Sequence, residues 1–405
     1  MEKKERQNSI MLISSRSISR IGDIMFDFAN NTFLASMSPK SLSLVGTYQI
    51  LENIISVVFN LFGGVIADRF RRKKIIIAAD SISGIICIGL SLIGTEKWLI
   101  YAVVIANVIL AFLNSFSAPS YKAFTKEIVE KKNISSVNSY LETASTIIKV
   151  AIPLVAVSLY RWLGIHGVLL LDGISFLASG VLLLFISPII EEVASKEKFS
   201  LTTIGRDLKS GFSYLFNQKQ ILIIIILSAL VNFFLAAYNL LLPYSNQMFP
   251  EISKQLYGIF LAAEAVGGLI GASVSSTIKK EITGNRLLMS LGLSGISLSI
   301  SPVLYYSFYN SIILSLSPAF FSLFLTIFNI QFFSFIQREV DNGFLGRIFG
   351  IVFTIAILFM PIGTGIFAII LRPSYTYNLS LVGLAVIVLS LLFGYLLRKY
   401  QSSTE

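Results

Sequence analysis

Several acidic and basic residues of this chain stand inside long apolar segments. Arg20, Asp23 and Asp27 are three and four residues apart, which places them on one face of a helix. A charge at the centre of a bilayer costs about 2.5–3.5 kcal/mol, so each such group needs a partner or a function. Arg20 and Asp23 can form a neutral pair. Asp27 then lacks a local cation, which makes it a candidate for binding and releasing a proton.

Other charged residues occur singly within apolar segments. Glu52 and Glu142 are further candidates for proton coupling, although each could instead bond a neighbouring hydroxyl or amide group. Lys149 could neutralise Glu142, which we favour, or meet an anionic substrate. We expect Asp172 to support packing or a gate, whereas Glu264 either has a structural role or takes part in transport. The predicted proton-coupling residues are Asp27, Glu52, Glu142 and Asp23.

A short basic stretch separates two of the apolar segments. It reads Gly64-Val-Ile-Ala-Asp68-Arg69-Phe70-Arg71-Arg72-Lys73-Lys74, so that five cations fall within its last six residues. One interpretation is a positively charged cytoplasmic anchor, which any membrane protein can carry. The other is a tight, charged turn at an inner gate. Asp80 lies within two turns of the lysine pair, and we expect it to belong to that gate.

Two apolar segments combine aromatic residues with amides. They contain Asn232, Phe233, Phe234, Tyr238 and Asn239 in one, and Phe320, Phe321, Phe324, Phe328, Asn329, Gln331, Phe332 and Phe333 in the other. Aromatic stripes in membrane helices commonly face lipid or pack against other helices, but interleaved amides favour a cavity wall because an unpaired amide in lipid is costly. Such a wall suits a large, partly apolar substrate, including a cationic one. The predicted cavity residues are Lys149, Asn232, Tyr238, Asn239, Glu264, Phe328 and Asn329.

The sequence lacks the residue patterns of ATP hydrolysis and of metal chemistry. It contains no Gly-x-x-x-x-Gly-Lys-Ser/Thr phosphate loop. Cys87 is the only cysteine and His166 the only histidine, so neither a disulfide framework nor a Ser-His-acid arrangement is expected. We therefore expect no enzyme, no cofactor and no metal. Transport driven by an ion gradient remains, and protons are the expected ion.

The composition places the chain in a membrane. Of its 405 residues, 55% are hydrophobic and only 13% are charged, which does not fit a soluble globular protein. The net charge of +10 would favour nucleic acid as the partner of a soluble protein, but here it is better explained by the excess of basic residues in cytoplasmic loops. We expect the lipid bilayer as a partner and no nucleic acid.

Twelve apolar segments have the length that a helix needs to cross a bilayer. They fall near 13–37, 42–66, 74–95, 98–118, 136–160, 167–189, 220–245, 255–278, 287–307, 310–334, 346–371 and 376–397. Lysine and arginine concentrate in alternate connectors, and the other connectors hold only Lys40, Lys97, Arg161, Lys254 and Arg372. This asymmetry predicts that both termini are cytoplasmic. The charged start of the chain does not read as a signal peptide.

The longest connector divides the chain into two halves of six segments. Between 191 and 219, apolar residues recur every three or four positions from Leu201 to Leu215, which predicts an amphipathic helix in the cytoplasmic interface or a solvated linker. We predict bundles at 1–190 and 220–405. The halves are faintly similar: Gly63-Gly64 corresponds to Gly267-Gly268, and Lys73-Lys74 to Lys279-Lys280.

The basic stretch resembles the loop signature of major facilitator superfamily transporters, although Arg71 stands where that signature has glycine. Four further stretches resemble the macrolide-efflux branch of the drug:proton antiporters: 17–23, 73–80, 171–176 and 204–214. Gly346-Arg347 matches as well. The resemblance implies an all-α integral membrane fold of twelve transmembrane helices in two pseudo-symmetric bundles. It also implies a cytoplasmic latch, for which we expect Gly64, Asp68, Arg69, Arg72, Lys73 and Asp80.

These features together predict a monomeric secondary transporter in the cell membrane. It would export an amphiphilic, macrolide-like small molecule by proton antiport, with a central cavity that opens to one side of the membrane at a time. The alternatives are export of a siderophore, peptide or lipid, import by the same fold, and a membrane protein that confers immunity by binding without transport.

Overall fold

The computed structural model describes residues 3–37, 41–130, 133–189, 213–216, 218–277, 284–340 and 345–401. Within these ranges the regular structure is helical, and no strand occurs. The chain forms two compact units, Met1–Phe199 and Ser200–Glu405. Most of the connector from 191 to 219, including the predicted amphipathic helix, lies outside the described residues.

Within the described residues, the first unit contains five helices. They are α1 (Lys3–Ser36), α2 (Ser41–Arg69), α3 (Arg72–Ser91), α4 (Glu96–Ile128) and α5 (Ile134–Leu184). Helix α5 is broken at Gly164, whose φ of 63° and ψ of −172° are not helical. Only glycine adopts such a conformation easily, so the chain turns there between two predicted spans. Helix α5 therefore contains both the fifth and the sixth predicted segments.

The second unit contains eight helices in the described part of the chain. They are α6 (Lys219–Leu241), α7 (Ser245–Met248), α8 (Leu256–Thr277), α9 (Gly284–Ser299), α10 (Ser301–Phe308), α11 (Ser311–Glu339), α12 (Leu345–Ile370) and α13 (Asn378–Gln401). A 3₁₀ turn, Leu242–Tyr244, joins α6 to α7. Together α9 and α10 occupy the ninth predicted segment.

Each of the twelve predicted segments coincides with helical structure. Among the described residues, nine helices are long and apolar enough to cross a membrane, and one of these extends over two predicted segments. Helix α1 is not among the nine because its charged residues lower its hydropathy. The prediction of an all-α membrane protein is thus confirmed.

Small residues set the closest helix contacts in both units. In the first, a Cβ atom added to Gly84 of α3 would lie 2.9 Å from the carbonyl oxygen of Gly173 in α5. In the second, a Cβ atom on Gly295 of α9 would lie 2.6 Å from the carbonyl oxygen of Gly383 in α13. The two contacts join the third segment to the sixth and the ninth to the twelfth, as expected of parallel repeats.

The glycines of the Gly267-x-x-x-Gly271 pattern also pack a helix face. Added Cβ atoms would collide with the backbone carbonyls of Ala319 and Leu323 in α11. Close approach of helix backbones is the usual role of such a pattern in membranes. Contact between α8 and α11 therefore depends on these two glycines. The side chains around Gly346 and Gly350 lie outside the described residues.

Candidate functional site

A buried polar network surrounds Asp80 in the first unit. The Oδ2 atom of Asp80, on α3, accepts hydrogen bonds from Ser179 Oγ at 2.6 Å and Tyr121 Oη at 3.1 Å. Its Oδ1 atom accepts a longer bond from Ser19 Oγ at 3.5 Å. These partners come from α5, α4 and α1, so a single carboxyl group joins four helices. The Asp80 side chain is 3% exposed, and burial at that level requires such partners.

Ser15 extends the network along α1. Its Oγ atom lies 3.0 Å from Tyr121 Oη and 2.9 Å from Ser179 Oγ. The Arg16 guanidinium lies over the Tyr121 ring, with 4.7 Å between its central carbon and the ring centroid. The sequence analysis singled out Asp80 but missed the two α1 serines, whose spacing of four residues was the available signal.

Asp80 was expected at the inner gate beside Arg72 and Lys73, and the structure corrects that expectation. Its carboxyl group is occupied by the buried hydroxyls of Ser179 and Tyr121. Asp80 lies two helical turns beyond Arg72 along α3, inside the bundle, so it reaches neither cation. It holds helices together instead.

A polar pocket adjoins the network. Its volume is about 20 Å³, room for a single water molecule, and its walls come from α1, α3, α4 and α5. The lining residues are Arg16, Ser19, Asp23, Ala79, Asp80, Ser83, Leu110, Leu113, Asn114, Ser117 and Phe176. One cation, two acids and several hydroxyl and amide groups thus surround a space within an otherwise apolar bundle.

Three of the predicted proton-coupling acids come together on α1 and α2. Arg20 Nη1 lies 3.4 Å from Asp23 Oδ2, as the spacing in the sequence predicts. Asp27 is exposed on its helix face, and its Oδ1 atom accepts a hydrogen bond from the fully buried Tyr48 at 3.3 Å. Glu52 lies within electrostatic range of both Asp23 and Asp27. Two of the acids therefore lie near one arginine, and the third lies within electrostatic range of both of them.

Asp172 was expected to support packing or a gate, and it lies deep in the first unit. Its side chain is fully buried on α5, and neither carboxyl oxygen has a hydrogen-bond partner among the described residues. Asp23 and Asp27 on α1 lie within electrostatic range, and so does Cys87 on α3. An unpaired acid at this depth is energetically costly.

Glu142 and Lys149 do not form the pair that we favoured. Both side chains are exposed on α5, and no ion pair joins them within 4.0 Å. The two residues are seven positions apart, which separates them by about 10 Å along the helix. The favoured interpretation of Lys149 as the partner of Glu142 is therefore wrong.

At the N-terminal end of α3, two cations of the basic stretch make specific contacts. Arg72 Nη1 lies 2.9 Å from Glu127 Oε1, and both side chains are about nine-tenths buried. Lys73 Nζ donates to the backbone oxygens of Leu184 at 3.0 Å and Ile186 at 2.8 Å. The cations thereby connect α3 to the ends of α4 and α5. The side chains of Gly64, Asp68 and Arg69 lie outside the described residues.

The start of α1 reaches the same region. Glu5 is 1% exposed, and its carboxyl oxygens accept bonds from the Glu130 backbone N–H at 2.6 Å and from Asn133 Nδ2 at 3.0 Å. Asn8 Nδ2 donates to the Ser187 backbone oxygen at 2.8 Å. The sequence analysis missed these contacts, because Glu5 and Asn8 precede the first predicted span and carry no pattern of their own.

In the second unit, some of the predicted cavity residues are half-buried or exposed, and others are buried. Tyr238 and Glu264 lie side by side, with the Tyr238 ring centroid 4.8 Å from that of Phe321. Asn232 Nδ2 donates to the Ser228 backbone oxygen at 2.9 Å, Asn239 is half-buried, and Asn329 is exposed. Phe328, however, is 1% exposed within the apolar core. It packs in that core, and Tyr238 is likewise 1% exposed, so neither side chain has its expected place in a cavity wall.

A strained turn precedes α11. Glu251 and Tyr309 are the non-glycine residues with positive φ in the described structure, at 68° and 47°. Tyr309 Oη donates to Glu251 Oε2 at 2.9 Å, and this bond raises the pKa of the Tyr309 hydroxyl. The bond holds together two residues in a conformation that costs about 1–3 kcal/mol each.

A bundle of long apolar helices with acids gathered inside it defines the class of a membrane transport protein. The described residues contain no group of three or more histidine, cysteine or acidic side chains that could hold a metal ion. The family model of the Major Facilitator Superfamily matches residues 12–364, and the chain belongs to that superfamily.

Several of its sequence relatives are named macrolide efflux protein A. It is 25% identical over 333 residues to macrolide efflux protein A of Enterococcus faecalis, which covers 79% of this chain and 99% of the relative. It is likewise 25% identical over 318 residues to a macrolide efflux protein A of Streptococcus pyogenes, which covers 76% and 75% of the two chains.

Solved transporter structures share the fold. A bacterial homologue of the iron transporter ferroportin in its inward-facing state matches with a TM-score of 0.74 at 18% identity, covering 97% of this chain and 98% of the other. The nucleoside transporter NupG matches with a TM-score of 0.72 at 14% identity, covering 97% and 99%. These likenesses concern the fold alone.

Proposed function

We propose that the chain exports an amphiphilic, macrolide-like small molecule in exchange for protons, as a monomer in the cell membrane with cytoplasmic termini. The observation that carries the proposal is the group of Asp23, Asp27 and Glu52, of which the first two also lie near Arg20. Carboxyl groups that lie this close repel one another when all are ionised, so binding of a proton relieves the repulsion. Glu142 stays a fourth candidate.

Asp27 is the acid best placed to exchange a proton with its surroundings. Its side chain is exposed, whereas its hydrogen-bond donor, Tyr48, is fully buried and fixed. A proton bound here removes the negative charge that Tyr48 and Arg20 stabilise, and α1 and α2 then respond together. A potential of 100 mV supplies about 2.3 kcal/mol for each charge moved, which drives export against a substantial concentration ratio.

The latch of the transport cycle involves the basic stretch. Asp68 and Arg69 close the cytoplasmic side while the cavity faces outward. Gly64 lets the helices of the latch approach one another closely. The Arg72–Glu127 pair and the Lys73 contacts support this role, because they hold the start of α3 rigidly against α4 and α5. Protonation of the acid group on α1 and α2 releases the latch.

The relatives named for macrolide efflux support the proposed direction of transport and the proposed substrate class. A macrolide-like substrate is large and partly apolar. The half-buried or exposed amides Asn232, Asn239 and Asn329 of the second unit provide polar groups that can orient it. Lys149, exposed in the first unit, stays a further candidate for contact with the substrate.

The test is accumulation of a macrolide in cells that express the chain. We expect lower accumulation than in cells without it, and loss of the difference when an uncoupler collapses the proton gradient. Asp27→Asn removes the exchangeable proton while keeping the side-chain shape, so it is expected to reduce efflux at least tenfold. Glu96→Gln is the matched control, because Glu96 is exposed at the start of α4.

Efflux that survives the uncoupler, or that Asp27→Asn leaves intact, would contradict proton coupling through this acid. If no macrolide is expelled although the protein is present in the membrane, the same assay is repeated with siderophores, peptides and lipids. A protein that confers immunity by binding, without transport, would instead keep its protective effect when Asp23→Asn, Asp27→Asn and Glu52→Gln are combined in one chain.

A further inference from the structure

The first two turns of α1 contain a buried acid that has no part in the proposed transport cycle. Glu5 is 1% exposed, whereas Arg6 and Gln7 beside it are exposed. Burial of a carboxylate costs free energy unless donors satisfy it. The donors are the Glu130 backbone N–H and Asn133 Nδ2, at 2.6 and 3.0 Å, and both belong to the connector between α4 and α5. Glu5 therefore fixes the start of α1 to that connector.

The contact of Asn133 with Glu5 replaces one that this residue type usually makes. Asn133 is the N-cap residue of α5, where an asparagine side chain commonly accepts a hydrogen bond from the first turn of its own helix. The Asn133 side chain makes no such bond in the described structure, and its amide donates to Glu5 instead. The Glu5 carboxylate thus lies at the N-terminal end of α5, where the helix dipole stabilises a negative charge.

Asn8, one turn further along α1, holds a second segment. Its side chain is 3% exposed, and its Nδ2 atom donates to the backbone oxygen of Ser187 at 2.8 Å. Ser187 belongs to the segment 185–189, which follows α5. The Ile189 backbone N–H in turn donates to the Glu127 backbone oxygen at the end of α4, at 2.8 Å. One face of α1 therefore contacts both segments, and the two segments contact each other.

The start of α3 holds the same two segments from another side. Arg72 pairs with Glu127, and Lys73 donates to the backbone oxygens of Leu184 and Ile186. With the contacts of α1, these bonds close a polar ring that runs from α1 to the α4–α5 connector, to α3, to segment 185–189 and back to α1. A shift at the start of α3 cannot leave α1 in place without breaking one of these contacts, and such networks carry coupling between distant sites.

We propose that the first two turns of α1 act as a clamp that couples the start of α3 to α1, with Glu5 and Asn8 as its positioning residues. Helix α3 follows the proposed latch residues Asp68 and Arg69, whereas α1 carries proton-coupling acids of the proposed function. This inference rests on that function. It adds that protonation on α1 reaches the latch through the clamp, so that loss of Glu5 slows export without weakening substrate binding.

The clamp is tested first without any substrate, by labelling a cysteine in the purified full-length protein in detergent. Ser9 is 4% exposed, so Ser9→Cys reacts with a maleimide only when the first turns of α1 detach. The background is Cys87→Ser, which removes the other cysteine. We expect Glu5→Ala to accelerate labelling at least tenfold, and Lys73→Met, at the opposite part of the polar ring, to accelerate it as well. Gln7→Ala is the matched control, because Gln7 is exposed, and it should leave the rate unchanged.

The positioning role is tested by macrolide uptake into inverted membrane vesicles with an imposed proton gradient. In Glu5→Ala the maximal rate per folded transporter should fall at least fivefold, while the macrolide concentration that gives half of this rate stays within twofold of wild type. Glu5→Gln keeps an acceptor for the Glu130 backbone N–H but loses the charge at the start of α5. Its maximal rate should lie between the two, and it replaces Glu5→Ala if that variant does not fold.

Two results would overturn the inference. One is a wild-type rate of Ser9→Cys labelling in Glu5→Ala or in Lys73→Met, because the polar ring then does not couple the two helices. The other is a raised half-saturating macrolide concentration in Glu5→Ala at an unchanged maximal rate, which would place the effect in substrate binding.

The outcome is separable from that of the proposed function, because the labelling needs neither a substrate nor a gradient. Accelerated labelling in both variants without any macrolide export supports the clamp and contradicts the export proposal. Proton-driven export with wild-type labelling in either variant supports the exporter and contradicts the clamp.

Discussion

At the scale of single residues, buried acids in the first unit have two very different environments. Asp80 has three hydroxyl partners, whereas Asp172, fully buried in the same unit, has none among the described residues. The satisfied acid contributes to stability, and the unsatisfied one opposes it, since an unpaired buried polar group costs about 1–3 kcal/mol. A mutation that removes a partner of the satisfied acid is expected to lower stability, and one that replaces the unsatisfied acid is expected to raise it.

Tyr121→Phe is expected to destabilise the first unit. It removes the hydroxyl that donates to Asp80 and contacts Ser15, both of which stay buried. The expected loss in the free energy of unfolding is about 1–3 kcal/mol. Thermal unfolding in detergent measures it, with Tyr140→Phe as control because Tyr140 is 61% exposed. Equal unfolding temperatures for the two variants would show that the hydroxyl contributes nothing.

Asp172→Leu is expected to stabilise the protein. Leucine has the same branched shape as aspartate, but it leaves no buried oxygen without a partner, so the unfolding temperature should rise. Asp172→Ala serves as control, because it removes the carboxyl group and also leaves a cavity, which lowers stability. A lower unfolding temperature for Asp172→Leu than for wild type would mean that the carboxyl group has a partner that stabilises it.

At the scale of elements, glycine contacts determine how closely the helices pack. A Cβ atom on Gly84 would meet Leu177 Cγ at 2.7 Å as well as the Gly173 carbonyl. The equivalent contact in the second unit, between Gly295 and Gly383, uses the same device. Each contact includes a backbone carbonyl oxygen, which cannot move aside as a side chain can, so an added methyl group strains the helix packing.

Gly84→Ala is therefore expected to destabilise the α3–α5 contact by about 1–3 kcal/mol. Gly89→Ala is the matched control on the same helix, because a Cβ atom there has nothing within 4 Å. Alanine is the better helix former, so the control should be neutral or stabilised by up to about 1 kcal/mol. Unfolding temperatures in detergent measure both. A Gly84→Ala protein as stable as Gly89→Ala would disprove the tight contact.

At the scale of the whole molecule, the distribution of basic residues predicts the orientation in the membrane. The connectors expected outside hold only Lys40, Lys97, Arg161, Lys254 and Arg372, and the cytoplasmic ones hold the basic clusters. A green fluorescent protein fused after residue 401 should fluoresce, and alkaline phosphatase fused there should be inactive. Phosphatase inserted near Gly164 should be active. The reverse pattern would invert the topology and the direction of the proposed export.

The sequence by itself determined the class, the spans and one local pair. Membrane helices reveal themselves through continuous apolar runs, which is why all twelve segments coincide with helices, and Gly164 marks the turn inside α5. The Arg20–Asp23 contact was also predictable, because residues three apart on a helix are neighbours whatever the rest of the chain does.

Only the tertiary structure decided which distant side chains meet. The partners of Asp80 lie 41 to 99 residues away in the chain, and no local pattern connects Ser179 or Tyr121 to it. The same limit explains why two predictions were wrong. A phenylalanine such as Phe328 fits a cavity wall as well as a core, and Lys149 has a plausible partner on its own helix but does not reach it. Local hydropathy sets where a helix runs, whereas helix packing sets which of its faces are buried and what each polar group touches.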